Sequence, residues 1–186
     1  GVVTLWYFIG MTAGGFFGGV ISDFIGRRKT FLISIATFSF FSVLNGFTDN
    51  FHVFVIARSM TGFGVFCLMV CSQAYIAEMA PASRRGGLVA WNQFAIIFGM
   101  LVVYFVNYFI ALNGDEAWLT STGWRLMFLS EVIPAALLFL LVLGVPESPR
   151  WLIMKGREAK AVAILERIMG APEAEVEAQS IRRSLH

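Results

Sequence analysis

The sequence predicts an all-α integral membrane protein with five transmembrane helices, followed by short cytoplasmic helices. Hydrophobic residues make up 58% of the 186-residue chain and charged residues only 14%, whereas a soluble domain carries about 25% charged residues. The nineteen phenylalanines exceed what one small globule can bury, and lipid tails would solvate them. Five apolar stretches each approach the ~20 residues that cross a bilayer as a helix.

The five stretches follow one another with short polar connections. They cover residues 1–22, 31–48, 52–76, 87–112 and 125–145, and the connections read GRRKT, TDN, EMAPASRRGG and NGDEAWLTSTGW. Basic residues lie in the first and third connections and after the last stretch, whereas the other two connections carry acids. The positive-inside rule therefore places the amino end outside and the carboxyl end in the cytoplasm of a multi-pass cell-membrane protein, the inner membrane if the source is bacterial. Because the first stretch starts at Gly1 in apolar sequence, we expect further sequence before it.

Residues 146–186 differ from the membrane unit, residues 1–145, and predict a cytoplasmic linker of short amphipathic helices. Ser148 is a helix-capping residue type, and Pro149 suits a first helical turn. Gly156 is expected to end that helix. The stretch REAKAVAILERIMG has apolar residues at helical spacing, and the following PEAEVEAQSIRRSLH predicts one more surface helix or a frayed end.

Three ionisable residues lie in or near the predicted spans: Arg58 and Glu131 well inside, and Glu78 near an end. A charge near the bilayer centre costs about 2.5–3.5 kcal/mol, so such residues usually pair or line a polar pathway. Arg58 and Glu131 lie roughly 9–10 Å into spans that enter from the same side, at 1.5 Å per residue. Equal depth and opposite charge make them candidate partners, and a purely structural ion pair is the alternative.

One face of the fourth stretch carries an amide among apolar residues. Gln93, Ile96 and Met100 fall at i, i+3 and i+7 and share a helix face. An amide both donates and accepts hydrogen bonds, which suits a neutral hydroxylated ligand. Alternatively, Gln93 joins two helices.

Small residues and thiols predict packing features. Gly10, Gly14 and Gly18 are four apart, a spacing that lets helix backbones approach closely. Cys67 and Cys71 are expected to be free buried thiols, because a disulfide framework or a metal site needs more partners. With a net charge of +2 and no HExxH or GxSxG pattern, we expect no enzyme activity, no metal or cofactor, and no nucleic-acid partner.

Five motifs in register resemble a known family. GGVISDFIGRRKT resembles the signature loop of the major facilitator superfamily. ARSMTGFG, AYIAEMAPASRRG, GWRLMF and VPESPRWL resemble its sugar porter family. Together with these motifs, WNQFAIIFG is most similar to bacterial D-xylose/proton symporters. The resemblance covers nearly the whole chain and implies spans two to six, plus the start of the intracellular linker, of a twelve-span transporter. The first span and the C-terminal six-helix half would then be partners outside this chain.

The resemblance implies alternating-access sugar transport, with proton-coupled uptake of D-xylose or a related monosaccharide. Gln93 matches the family's sugar-binding amide, with Ile96 and Met100 on the same face. Arg58 and Glu131 match the polar pair that accompanies a protonated Asp on the first span. A proton-independent facilitator, a non-transporting sugar sensor and an efflux pump for apolar drugs are the alternatives, although the last predicts neither such an amide nor PESPRWL.

The resemblance also implies a cytoplasmic gating network that clamps the two halves when the inside gate is shut. Its members in this sequence are Asp23, Arg27, Arg28, Glu78, Arg85, Glu147 and Arg150. Such pairs form in one state and break in another, and ordinary surface salt bridges are the alternative. Three positions depart from the family pattern: Phe24 replaces a basic residue, Phe66 replaces a glycine, and the apolar Met100 would favour another pentose or a hexose over xylose.

Overall fold

The structure is a computed structural model that describes residues 1–185, and its regular elements are helices. Four long helices come first: α1 (Val2–Ile25), α2 (Arg27–Phe47), α3 (Phe51–Met79) and α4 (Arg85–Leu112). A fifth span follows as α5 (Glu116–Trp118), a π-helical turn (Leu119–Gly123), α6 (Trp124–Ser130) and α7 (Val132–Leu143). The last elements are α8 (Pro149–Met154), α9 (Glu158–Met169) and α10 (Ala171–Leu185). The five spans are long and apolar enough to cross a membrane, which confirms the predicted fold class.

The fifth span begins earlier than the sequence predicts. The polar run NGDEAWLTSTGW was expected to be a connection, but helix extends through most of it. The Asp115 carboxylate accepts a hydrogen bond from the Trp118 N–H at 2.9 Å and so caps α5. The hydroxyls of Thr120 and Ser121 donate to carbonyls one turn earlier. Polar side chains that bond to their own helix allow this run to remain helical.

A row of glycines brings α1 and α3 into backbone contact. A methyl group added at Gly10 would overlap the carbonyl oxygen of Ser59, and one added at Gly14 would overlap that of Phe63. The contacts advance by four residues on both helices, so α1 and α3 run parallel. Gly18 is also buried on this face. The predicted close approach is confirmed.

The α1-facing side of α3 also carries an aromatic residue and two thiols. A methyl group at Gly15 would lie 2.7 Å from the ring of Phe66, so the ring occupies the space beside the glycine. Cys67 and Cys71 are free and buried, as predicted. The Cys71 thiol donates to the carbonyl oxygen of Arg27 at 3.3 Å.

Polar contacts gather the basic connections at one end of the bundle. Arg27, at the start of α2, pairs with Glu78, near the end of α3. The Arg28 N–H donates to Glu147, which precedes α8, at 3.0 Å. The first and third connections and the segment after the fifth span therefore share one end, which agrees with the predicted alternation.

Three short helices pack together after the fifth span. Ser148 accepts a hydrogen bond from the Trp151 N–H, and Pro149 occupies the first turn of α8, as predicted. Gly156 and Gly170 have positive φ of 72° and 91° and separate the three helices. The last stretch is a helix rather than a frayed end. A small core joins α9 and α10, formed by Leu165, Ala174, Ala178 and Ile181.

Candidate functional site

A cavity of about 470 Å³ lies among the five spans. Its lining is mostly apolar, with polar groups from Tyr7 on α1, Arg58 on α3 and Glu131 on the fifth span. From α4 it receives Met100 and Val103. The fold thus joins three residues that the sequence singled out: the predicted polar pair and the apolar member of the predicted sugar-facing set.

The guanidinium of Arg58 lies between two aromatic rings. Its Cζ is 4.6 Å from the centre of the Tyr7 ring and 4.8 Å from that of Phe128. Ring faces attract cations electrostatically. Arg58 and Glu131 both line the cavity, so the fold brings the candidate partners together, and no ion pair joins them. The guanidinium is held by the rings instead.

Glu131 lies at a break in the fifth span, between α6 and α7. Its backbone N–H bonds to the Phe128 carbonyl, three residues back, at 3.3 Å. Pro134 follows and lines the same cavity. A proline has no N–H and displaces the carbonyl four residues earlier, here that of Ser130. The local sequence therefore places the carboxyl group at an irregular turn that opens onto the cavity.

The other predicted sugar-facing residues lie elsewhere on α4. Gln93 is exposed and Ile96 half-buried, and neither lines the central cavity. Met100 is two turns away, about 10 Å further along the helix. Asn92 rather than Gln93 takes the helix-joining role, because its Oδ1 accepts a hydrogen bond from the Ser72 hydroxyl at 3.3 Å. Sugar binding by Gln93 stays a prediction.

Arg27 is the centre of a charge cluster at the basic end. Its side chain is only 9% exposed and forms ion pairs with Asp23 and, at 2.7 Å, with Glu78. It also donates to Ser22 Oγ at 2.9 Å. The Ser148 hydroxyl donates to Glu78. The sequence did not reveal the parts played by the two serines, because a serine near a helix end indicates a cap and nothing more specific.

Glu147 anchors the segment that precedes α8 to the start of α2. Its Oε1 accepts from the N–H groups of Arg28 and Ser148, both at 3.0 Å. A carboxylate at a helix amino terminus is favourable, because the helix dipole is positive there. The Arg28 guanidinium donates to the Leu143 carbonyl at 2.6 Å. Backbone atoms and a carboxylate, rather than a chain of ion pairs, therefore hold this part of the predicted network.

Two predicted members of the gating network remain apart from these contacts. Arg85 donates to the Ala80 carbonyl at 3.5 Å, and neither Arg85 nor Arg150 forms an ion pair within residues 1–185. Both line a second cavity, of about 320 Å³, together with Glu78 and Glu177. Glu177 was not singled out by the sequence, because an acid on an amphipathic helix resembles any solvated residue.

Phe24 is one of the positions that depart from the expected pattern of the superfamily loop, in which a basic residue is expected. Its side chain is 76% exposed. The Lys155 ammonium lies 5.4 Å from the centre of its ring. A positive charge therefore lies beside the Phe24 ring, and it belongs to Lys155, the residue that follows α8.

Known proteins match the chain over nearly its whole length. The family model described as sugar (and other) transporter matches residues 1–186. The chain is 46% identical to the D-xylose-proton symporter of Escherichia coli strain K12 over 195 aligned residues, covering 95% of this chain and 40% of that protein. The chain therefore spans about two fifths of this curated relative.

Two solved structures have the same fold. The partially occluded inward open conformation of the xylose transporter XylE from E. coli aligns with a TM-score of 0.94 and 44% identity, over 98% of this chain and 47% of that one. The major facilitator superfamily proton:xylose symporter XylE bound to 6-bromo-6-deoxy-D-glucose aligns with a TM-score of 0.93 and 43% identity, over 98% and 42%.

Proposed function

Given that the chain belongs to the sugar transporter family, we propose that it forms part of a proton-coupled monosaccharide transporter working by alternating access. The chain is a multi-pass membrane protein with the helical fold of a major facilitator transporter. The observation that carries the proposal is the cavity that holds Arg58 and Glu131 among the spans. Intramembrane charges that line a cavity mark substrate or proton pathways.

The sugar is bound by one face of α4 in this proposal. Gln93 supplies an amide that both donates to and accepts from hydroxyl groups, and Ile96 and Met100 lie on the same face. Two observations support this role. None of the residues of α4 is buried in this chain, and the relatives are more than twice as long, so they contain further sequence that could cover this helix. A second wall of the binding cavity would come from the rest of the protein. D-xylose is the expected substrate, and another pentose or a hexose is the alternative that Met100 raises.

Glu131 and Arg58 handle the coupled proton in this proposal. Glu131 offers a carboxyl group that can gain and lose a proton inside the cavity, and Arg58 provides a permanent positive charge nearby. The family resemblance adds an Asp on the first span as the main protonation site. These two residues would then transmit its charge state to the helices that carry them.

The basic end of the bundle is cytoplasmic in this proposal, and the amino end of α1 lies outside. Residues 1–145 form spans two to six, and residues 146–186 begin the cytoplasmic linker. The buried Arg27–Glu78 ion pair and the Ser148 hydroxyl, which donates to Glu78, join these parts. Arg85 and Arg150, which form no ion pair within the described residues, remain available to bind the other half of the transporter when the inside gate closes.

Uptake of labelled D-xylose and D-glucose by the full-length protein, with and without a protonophore, tests the proposal. We expect uptake that collapses with the protonophore and falls at least tenfold in Gln93→Ala, in line with ~1.4 kcal/mol or more of lost sugar binding. Asn113→Ala is the matched control, because this amide caps the end of the same helix and donates to the Phe109 carbonyl of that helix at 2.7 Å. It should leave uptake unchanged.

Other outcomes separate the alternatives. Equilibrating uptake that is indifferent to protonophore would show a facilitator and remove the coupling role of Arg58 and Glu131. Binding of sugar without uptake would show a sensor. If neither sugar is bound or transported, the monosaccharide proposal is wrong.

A further inference from the structure

Two polar residues of α2 are fully buried without hydrogen-bond partners. Ser42 and Asn45 are each 0% exposed. The Ser42 hydroxyl oxygen and both polar atoms of the Asn45 amide make no hydrogen bond to any described residue. Buried polar groups are nearly always bonded, and an unbonded one needs an explanation. Because both residues are already enclosed by this chain, another part of a longer protein would not supply the partner.

The register between α2 and the fifth span places Ser42 opposite Glu131. Near the basic end, the Arg28 guanidinium reaches the Leu143 carbonyl. Near the other end, a methyl group at Gly46 would lie 2.9 Å from the side chain of Leu129. The two elements are therefore antiparallel, and interpolation between these contacts brings Ser42 level with Glu131. The Ser42 hydroxyl therefore lies at the level of Glu131, and it makes no hydrogen bond to any described residue.

We propose that Ser42 is a positioning residue for Glu131, whose deprotonated carboxylate accepts a hydrogen bond from the Ser42 hydroxyl and is thereby held toward α2. Rotation of the serine side chain between staggered rotamers would complete this bond. The arrangement explains why Glu131 and Arg58 share a cavity without pairing. The part of this proposal that concerns proton coupling rests on the proposed function, whereas the hydrogen bond itself does not.

The other polar and charged groups near Glu131 are on α1, α3 and α6. The cavity receives the Arg58 cation from α3 and the Tyr7 phenol from α1, while α4 contributes the apolar Met100 and Val103. On α6, Arg125 pairs with Asp49, which lies in the connection after α2. Arg58 is held between two rings. The Ser42 hydroxyl is the buried donor on α2 at the level of Glu131, where it can distinguish the charged from the neutral carboxyl group.

The test is an infrared titration of the Glu131 carboxyl band in purified full-length protein, with Glu131→Gln identifying the band. A donor that bonds to the carboxylate favours the charged form. We expect Ser42→Ala to move the half-point of the band to higher pH by about one unit, a tenfold change in proton concentration. Ser42→Thr keeps the hydroxyl and should restore the original half-point. Ser34→Ala, a buried serine of the same helix about 12 Å away, should leave it unchanged.

An unchanged half-point in folded Ser42→Ala protein would overturn the proposal. A shift of similar size in Ser34→Ala would also overturn it, because the effect would then be structural. Uptake is measured beside the titration, and the pH of half-maximal uptake should move in the same direction. A shifted band with protonophore-insensitive uptake would support the hydrogen bond and contradict the proposed proton coupling, so the two failures are distinguishable. Should Ser42→Ala fold poorly, Ser42→Cys, a weaker donor, is expected to shift the band in the same direction by a smaller amount, and no shift would count against the proposal.

Discussion

Arg27 and Glu78 form a two-point ion pair between the start of α2 and the end of α3. Arg27 Nη2 lies 2.7 Å from Glu78 Oε1, and Arg27 Nε lies 3.2 Å from Glu78 Oε2. Both side chains are largely enclosed. Two parallel hydrogen bonds fix orientation as well as distance, so this pair sets how the first and third connections meet.

Removing the arginine should destabilise the protein far more than removing an exposed one. Arg27→Ala leaves Glu78 buried and short of its cationic partner, and breaking such a pair costs about 3–5 kcal/mol. Arg182→Ala is the matched control, because its pair with Glu158 is exposed and worth ~0–1 kcal/mol. Thermal and denaturant unfolding of purified full-length protein would measure both. Equal losses in the two variants would contradict the structural role assigned to Arg27.

The close approach of α1 and α3 predicts opposite outcomes at two glycines. Gly14→Ala places a methyl group onto the backbone of Phe63, whereas Gly19→Ala meets nothing within 4 Å. Overpacking typically costs about 1–3 kcal/mol, and here the obstacle is backbone, so the upper end is expected. Gly14→Ala should lower the folded yield and the melting temperature, and Gly19→Ala should change neither. A stable Gly14→Ala protein would mean that the helices are not in contact at this level.

Stacking of Arg58 predicts that lysine will not replace it. Lys keeps the charge but has no flat guanidinium to lie between the rings of Tyr7 and Phe128. Loss of these contacts should cost about 1–2 kcal/mol and reduce protonophore-sensitive sugar uptake. Arg84→Lys, at an exposed position, is the control and should behave as the parent does. If Arg58→Lys retains full stability and uptake, charge alone suffices at this position.

The place of Met100 in the central cavity predicts an effect on sugar choice. Met100→Ala removes bulk from the cavity lining and should favour a hexose over the smaller xylose. One or two methylene equivalents change selectivity about tenfold or more. The ratio of kcat/KM for D-glucose and D-xylose measures the effect. Met69→Ala, on α3 and outside that lining, should leave the ratio unchanged, and an unchanged ratio in Met100→Ala would remove this residue from the substrate site.

Some features could be predicted because they depend on short stretches of sequence. Long apolar runs required helices, since only a helix satisfies all the backbone hydrogen bonds of a single segment within lipid. Glycines four apart on α1 indicated close packing, and Ser148 with Pro149 indicated a helix start. The polar run before the fifth span misled the prediction, because Thr120 and Ser121 bond to their own helix instead of breaking it.

By itself, the sequence determined the number of spans and their approximate ranges, the row of contact glycines and the candidate polar residues, because hydrophobicity and residue spacing act locally. Only the tertiary structure decided which residues those groups meet. Arg58 meets Tyr7 and Phe128 rather than Glu131, and the Glu147 carboxylate meets the Arg28 backbone, 119 residues away in the chain. Each polar group has many potential partners of similar interaction energy. The packing of the helices decides which of them it contacts, and the order of residues alone does not show that packing.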